Sequence, residues 1–333
     1  MKKLIWIILA LTILCSCKKR TTEQDNFAKG ADIGWLSEME NSGVRFYANN
    51  GTSEDLISIL KSKGINSIRL RIWVNPTSKW CGTEDVIKQA LRAKNAGMRL
   101  MINFHFSDSW ADPGQQNKPF AWRNLSFAEL QNSLYNYTKD VMQQLKANDI
   151  KPEWVQIGNE TNDGMLWQEG RASTNMQNFS NLLKAGYRAV KEISPTSKVI
   201  VHLSNGYDNQ LYRWMFDNLK EQQVEFDVIG MSLYPNATNW KTKNIECYNN
   251  MLDMIQRYNK EIMISEIGMD VNEAVNCRAF IEDLVNKTKS LPGNKGLGVF
   301  YWEPQCHNNW KGYTLGAFDN SGKPTVALDG FLK

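Results

Sequence analysis

Two apolar runs, VQIGNE at 155–160 and MISEIG at 263–268, each carry a glutamate, Glu160 and Glu266. Both runs read as buried strands. In barrels of parallel strands, side chains at the C-terminal strand ends converge on one rim, where the chemistry is done. Two carboxyl groups delivered there suit cleavage of a glycosidic bond, one as acid and the other as nucleophile or base. Neighbouring runs end in further groups able to bind or polarise a substrate. INFHFSDSWADP supplies His105, Asp108 and Trp110; Asn159 precedes Glu160; His202 ends the fifth run, Tyr234 lies in SLYP, and Trp302 in YWEP. The segment SIRLRIW places Arg69 and Arg71 on one face, because strand side chains alternate with a period of two. A buried arginine needs an anionic partner. Arg69 reads equally as half of a structural ion pair, whereas Arg71, nearer the rim, is expected to belong to the site.

The elements that must position these residues alternate along the chain. Strands are predicted at Ala31–Trp35, Ser67–Trp73, Arg99–Phe106, Trp154–Glu160, Lys198–Leu203, Asp227–Tyr234, Glu261–Ile267 and Gly298–Trp302. Amphipathic stretches between them predict helices at Glu54–Lys63, 83–97, Phe127–Asn148, Met176–Ile193, Gln210–Glu221, Glu246–Tyr258 and Glu273–Lys289, with Val326–Leu332 closing the set. The stretch at 83–97 has a threonine cap, an acidic first turn and a terminal glycine, the usual helix punctuation. Eight strand–helix units without a second hydrophobic cluster predict α/β architecture as a single (β/α)8 barrel over 28–333. A doubly wound open sheet would place a glycine-rich phosphate turn after the first strand; LSEMENSG stands there instead.

The beginning of the chain predicts export. Lys2 and Lys3 precede the apolar stretch Leu4–Leu14, which is too short to span a bilayer and has the order of a secretory signal. Leu14-Cys15-Ser16-Cys17 resembles a bacterial lipobox, so 1–16 is expected to be removed and Cys17 to carry the lipid that anchors the protein to a membrane. The polar segment 17–27 reads as a tether. The formal charge of +4 includes the two leader lysines, which leaves the rest near neutral and argues against nucleic acid as a partner. Cys81, Cys247, Cys277 and Cys306 form no CxxC pair, and with three histidines in the chain no zinc spacing is present. No cofactor is expected, and the protein is expected to be a monomer. Twelve tryptophans are present; some must fill the core, while aromatic faces are also what sugar rings stack on. Trp110, Trp122, Trp167 and Trp310 are candidates for outer sugar subsites.

Taken in order, GADIGWLSEME, INSIRLRIWVNP, FHFSDSWADPGQQNKPFAW, VQIGNE, GMLW, SLYP and GVFYWEP resemble glycoside hydrolase family 53, the endo-β-1,4-galactanases, from about Gly30 to the C-terminus. The resemblance implies a retaining enzyme that cuts β-1,4-linked galactan, as in type I arabinogalactan and pectin. It implies Glu160 as acid/base, Glu266 as nucleophile, and Asn159 as the residue that holds the sugar 2-hydroxyl. Arg71, His105, Tyr234 and Trp302 match the active-site surround, and Arg71 and Tyr234 are the candidates for keeping Glu266 anionic. The chain departs from the family pattern at IGMD after Glu266 and at SNG after His202. Several bacterial members bind calcium after the seventh strand; no Asp-rich ligand set follows Met269 here, so no metal is expected. A related β-glucanase, mannanase or xylanase would share both glutamates. A non-catalytic glycan-binding surface lipoprotein would not need them.

Overall fold

The computed structural model describes residues 26–332. Eight parallel strands close on one another in chain order: β1 (Ala28–Asp32), β2 (Ser67–Ile72), β3 (Arg99–Phe104), β4 (Trp154–Ile157), β5 (Lys198–Leu203), β6 (Val228–Leu233), β7 (Glu261–Ile267) and β8 (Gly296–Trp302). Helices α1 (Leu36–Asn41), α2 (Leu56–Ser62), α3 (Thr83–Asn95), α4 (Phe127–Ala147), α5 (Ala172–Ile193), α6 (Asn209–Glu221), α7 (Trp240–Tyr258) and α8 (Ala274–Lys289) accompany them. The last unit closes with a 3-10 turn at Val326–Phe331, where Gly330 lies close against Ile281 of α8. The single (β/α)8 barrel expected from the sequence is the fold observed.

The lower barrel interior is apolar. Ala28, Met101, Trp154, Ile200, Val228, Met263 and Phe300 form one buried cluster. Phe300 reaches the axis because Gly30 has no side chain; a Cβ there would lie 2.1 Å from the Phe300 ring. A second apolar layer fills the space between strands and helices. Above the inner cluster the barrel turns polar: Asp32, Arg69, Arg71, Asn103, Gln156, His202, Ser232, Glu266 and Glu303 are all buried. Burial takes these groups out of bulk water, so most of their hydrogen bonds must be made inside the protein.

Several boundaries move for local reasons. β1 begins and ends earlier than predicted, since the Asp32 side chain accepts from the Gly34 N–H at 3.1 Å and turns the chain out of the sheet. The N-cap of α3 is Gly82 with no side-chain cap, so Thr83 is the first helical residue rather than the cap. α4 begins with the full capping box, in which Ser126 Oγ and the Glu129 carboxylate each take up the other's N–H. On β7, the pairing with β6 passes from Ile264↔Met231 to Glu266↔Ser232. The extra residue re-aims Glu266 onto the inner face already set by Met263, the usual use of an irregularity beside a site.

Candidate active site

Glu160 lies beyond its strand. β4 ends at Ile157, and the chain lifts to the rim through Gly158 (φ 82°) and Glu160 (φ 45°). A glutamate in the left-handed region is strained, and such residues persist only where the surroundings over-determine them. Here the Glu160 N–H donates to His202 Nδ1 at 3.3 Å, and Gln116 Nε2 donates to the Asn159 carbonyl at 2.8 Å. His202 Nδ1 also receives Gln156 Nε2 at 2.9 Å, which leaves Nε2–H to donate to Ser232 Oγ at 2.8 Å. The Ser232 hydroxyl in turn donates to the Glu160 carboxyl. His202 lies wholly beneath the cleft, and its neutral ring, held so by burial, relays orientation to Glu160 from below.

Glu266 is gripped by a different set. Arg69 Nη2 lies 2.8 Å from Oε1, and the Tyr234 hydroxyl donates to Oε2 at 2.9 Å. Arg69 is itself fixed by Asp32 at 2.7 Å and by the side-chain oxygens of Gln156 and Asn159, each at 3.1 Å. Asn159 Nδ2 donates to the Ala111 carbonyl at 2.8 Å. The sequence reading assigned Arg71 to Glu266, and this is corrected: Arg71 pairs with Glu303 and approaches Asp32 at 3.5 Å. Strand tilt is the cause. Neighbouring strands in a barrel are staggered, so height along β2 does not predict which group is met across the interior.

The two carboxyls are therefore unlike. Burial, and then the charge of Glu266, push Glu160 up to about 8. Burial also raises Glu266, but Arg69 and the Tyr234 hydroxyl act directly on its oxygens in the opposite sense. Tyr234 keeps its proton, since burial and Glu266 hold it well above the usual phenol range. Of the pair, Glu160 is the one its surroundings favour protonated and Glu266 the one held toward the anion, a separation that environment imposes on paired carboxyls.

A cleft of about 320 Å³ opens over both glutamates, walled by His105, Trp110, Tyr234, Trp302 and Tyr313. His105 Nδ1 accepts from Trp73 Nε1 at 3.4 Å and from the Ala111 N–H at 3.3 Å. Its Nε2–H is consequently left for a ligand, and burial with Arg71 and Arg69 nearby keeps the ring neutral. Asp108 is not in the wall. Its carboxylate accepts from the N–H groups of Asn75 and Phe120, at 2.9 and 2.8 Å, and braces two loops. Trp122 is buried edge-on against Tyr137 of α4, so it packs against that helix and offers no face to the cleft. Asp32, Glu303, Gln156, Ser232 and Tyr313 went unassigned in the sequence. Asp32 and Glu303 stand within the quoted motifs GADIGW and YWEP, which was the available signal. Cys81, Cys247, Cys277 and Cys306 are buried free thiols. Among the described residues no group of three or more His, Cys, Asp or Glu is placed to hold a metal ion. Cys17 and the leader lie outside the described residues.

Known proteins resemble the chain over its whole barrel. The arabinogalactan endo-β-1,4-galactanase of Thermothelomyces thermophilus is 33% identical over 92% of this chain and 98% of its own. A probable arabinogalactan endo-β-1,4-galactanase A of Neosartorya fischeri is 33% identical over 84% and 85%. Among solved structures, one from a study of two fungal β-1,4-galactanases superposes with a TM-score of 0.86 at 31% identity, covering 92% of this chain and 99% of that one. The Ignisphaera aggregans GH53 catalytic domain gives 0.84 at 32% identity, covering 92% and 95%. The profile of glycosyl hydrolase family 53 matches residues 28–331, the whole barrel, and the chain belongs to that family.

Proposed function

We propose that this protein is a retaining endo-β-1,4-galactanase acting on galactan and type I arabinogalactan, as a monomer and without cofactor. The observation that carries the mechanism is the unlike grip on its two carboxyls. Arg69 and Tyr234 hold Glu266 as an anion able to attack the anomeric carbon. Glu160, pushed up to about 8, enters the reaction protonated and gives its proton to the departing oxygen. The C–O bond to the leaving sugar breaks as the bond to Glu266 forms. Glu160, now an anion, takes a proton from a water whose oxygen bonds to the anomeric carbon as the bond to Glu266 breaks, and the sugar leaves with its configuration retained. Asn159 lines the cleft with both glutamates; one N–H of its amide is spent on the Ala111 carbonyl, and the second can meet a 2-hydroxyl in a contact that would strengthen as oxocarbenium character develops. The names of the family-53 relatives support galactan as substrate.

The leader with Lys2 and Lys3, and the lipobox ending at Cys17, support export and anchoring of the enzyme to a membrane by lipid, with 17–27 as tether. The test of the activity is incubation of the purified protein with β-1,4-galactan, cellulose, mannan and xylan, with reducing ends counted and the anomer of the first product read by NMR. Faster release from galactan, by about 10⁴-fold for a site matched to the axial 4-hydroxyl, and a β product are expected. Equal rates on a glucan or mannan overturn the substrate, and an α product overturns retention.

A further inference from the structure

Arg71 is wholly buried yet is not used by either glutamate. Its guanidinium carbon lies 4.6 Å from the centre of the Trp110 ring, 5.1 Å from Trp35, 5.7 Å from Trp73 and 5.9 Å from Trp302. Its Nε and Nη2 have no hydrogen-bond partner, so its remaining donors are spent on ring faces, which attract a cation within about 6 Å. Gly34 makes room for it; a Cβ there would sit 2.4 Å from Nη1. Glu303 supplies the counter-charge, and the same carboxylate accepts the Trp35 N–H at 3.0 Å. The rings also touch one another edge-on, Trp73 on Trp110 at 5.1 Å and Trp35 on Trp302 at 5.2 Å. Two of the four, Trp110 and Trp302, face the cleft.

We propose that Arg71, with Glu303 as its counter-ion, is a positioning residue for glycan binding: it is the cationic hub that fixes Trp110 and Trp302 as a wall against the C–H face of a sugar ring. The inference rests on the glycanase reading and assigns the β2 arginines separate duties. Arg69 serves the reacting carboxylate, and Arg71 serves the surface on which the sugar lies. Removing Arg71 alone would strand Glu303, so the pair is removed together.

The test compares wild type, Arg71→Met with Glu303→Gln, Arg71→Lys, and Glu303→Gln alone, on whichever polysaccharide of the panel the wild type cleaves fastest. A wrong substrate and a wrong role for Arg71 are thereby told apart. The paired variant is expected to raise KM about tenfold, the scale of one or two lost cation–ring contacts, with a smaller change in kcat. Its near-ultraviolet circular dichroism should lose the signal of coupled indoles, while the acid limb of the kcat profile stays in place. Arg71→Lys should recover part of both KM and signal. If the paired variant does not fold, Glu303→Gln must still show the same direction in KM and dichroism. An acid limb that moves with KM unchanged overturns the proposal in favour of a role at the nucleophile. Unchanged KM and dichroism overturn it in favour of mere space filling.

Discussion

Arg69 and Glu266 meet at 2.8 Å with the guanidinium fully enclosed and the carboxylate almost so. The contact decides which of the two glutamates can be an anion in a site where burial drives both toward the neutral form. A charge pair of this kind is worth little as a source of stability, but losing one partner is severe, because the other is left buried and uncompensated.

Arg69→Met is expected to destabilise the fold by about 3–5 kcal/mol, since Glu266 loses its cation and Asp32 loses the nearer of its two. Activity should also begin at higher pH. Removing a cation disfavours the anion, raises the Glu266 pKa and moves the acid limb upward. Denaturant titration and the pH profile of kcat/KM check both effects, and an unmoved acid limb contradicts the assignment.

Glu266→Ala should abolish turnover while leaving the barrel folded, because Glu160 has no cation on its oxygens to make it a nucleophile. Azide or formate should restore part of the activity by occupying the space of the lost carboxylate, giving a product of inverted configuration. Near-wild-type turnover without added anion would sink the nucleophile assignment.

For Glu160, the base limb of kcat/KM is expected near pH 8, since the proton must be present for the first step and is lost above that value. Glu160→Gln should remove this limb and slow galactan cleavage far more than cleavage of an aryl galactoside with a good leaving group. Its stability should change with a definite sign. The folded pKa lies above the unfolded one, so wild type loses stability as pH rises from about 4.3 to about 8; the glutamine variant does not. Melting temperatures across that range should therefore diverge in favour of Glu160→Gln and run parallel above it.

Cys17→Ala should move the enzyme out of the detergent phase in a partitioning assay, with catalysis by the purified protein unchanged. Equal partitioning of mutant and wild type contradicts lipid anchoring.

The barrel was legible because buried parallel strands are apolar runs and the helices between them carry one apolar face. Glu160 and Glu266 were legible as carboxylates at the ends of such runs. Asn159, His105, Tyr234 and Trp302 followed from the same logic and stand at the cleft. What local pattern could not show was pairing across the interior. Arg69 and Arg71 share a face and differ by one pleat, yet one meets Glu266 and the other Glu303, a choice made by stagger between distant strands. Asp108 sits in the motif block that carries the resemblance, but its carboxylate is committed to two backbone N–H groups. The turns that aim the chemistry were also hidden: nothing in NE announces a left-handed Glu160, and nothing in MISE announces the extra residue on β7.

Glu266, Arg69, Asp32, Arg71 and Glu303 form an unbroken row of alternating sign through the polar end of the barrel. Groups joined in such a network do not respond additively to substitution. Losing one member strands its neighbours, whereas exchanging an adjacent acid and base together leaves the net charge of the row unchanged. The row therefore behaves energetically as one unit. Paired exchange is the less costly route by which this interior could be rebuilt.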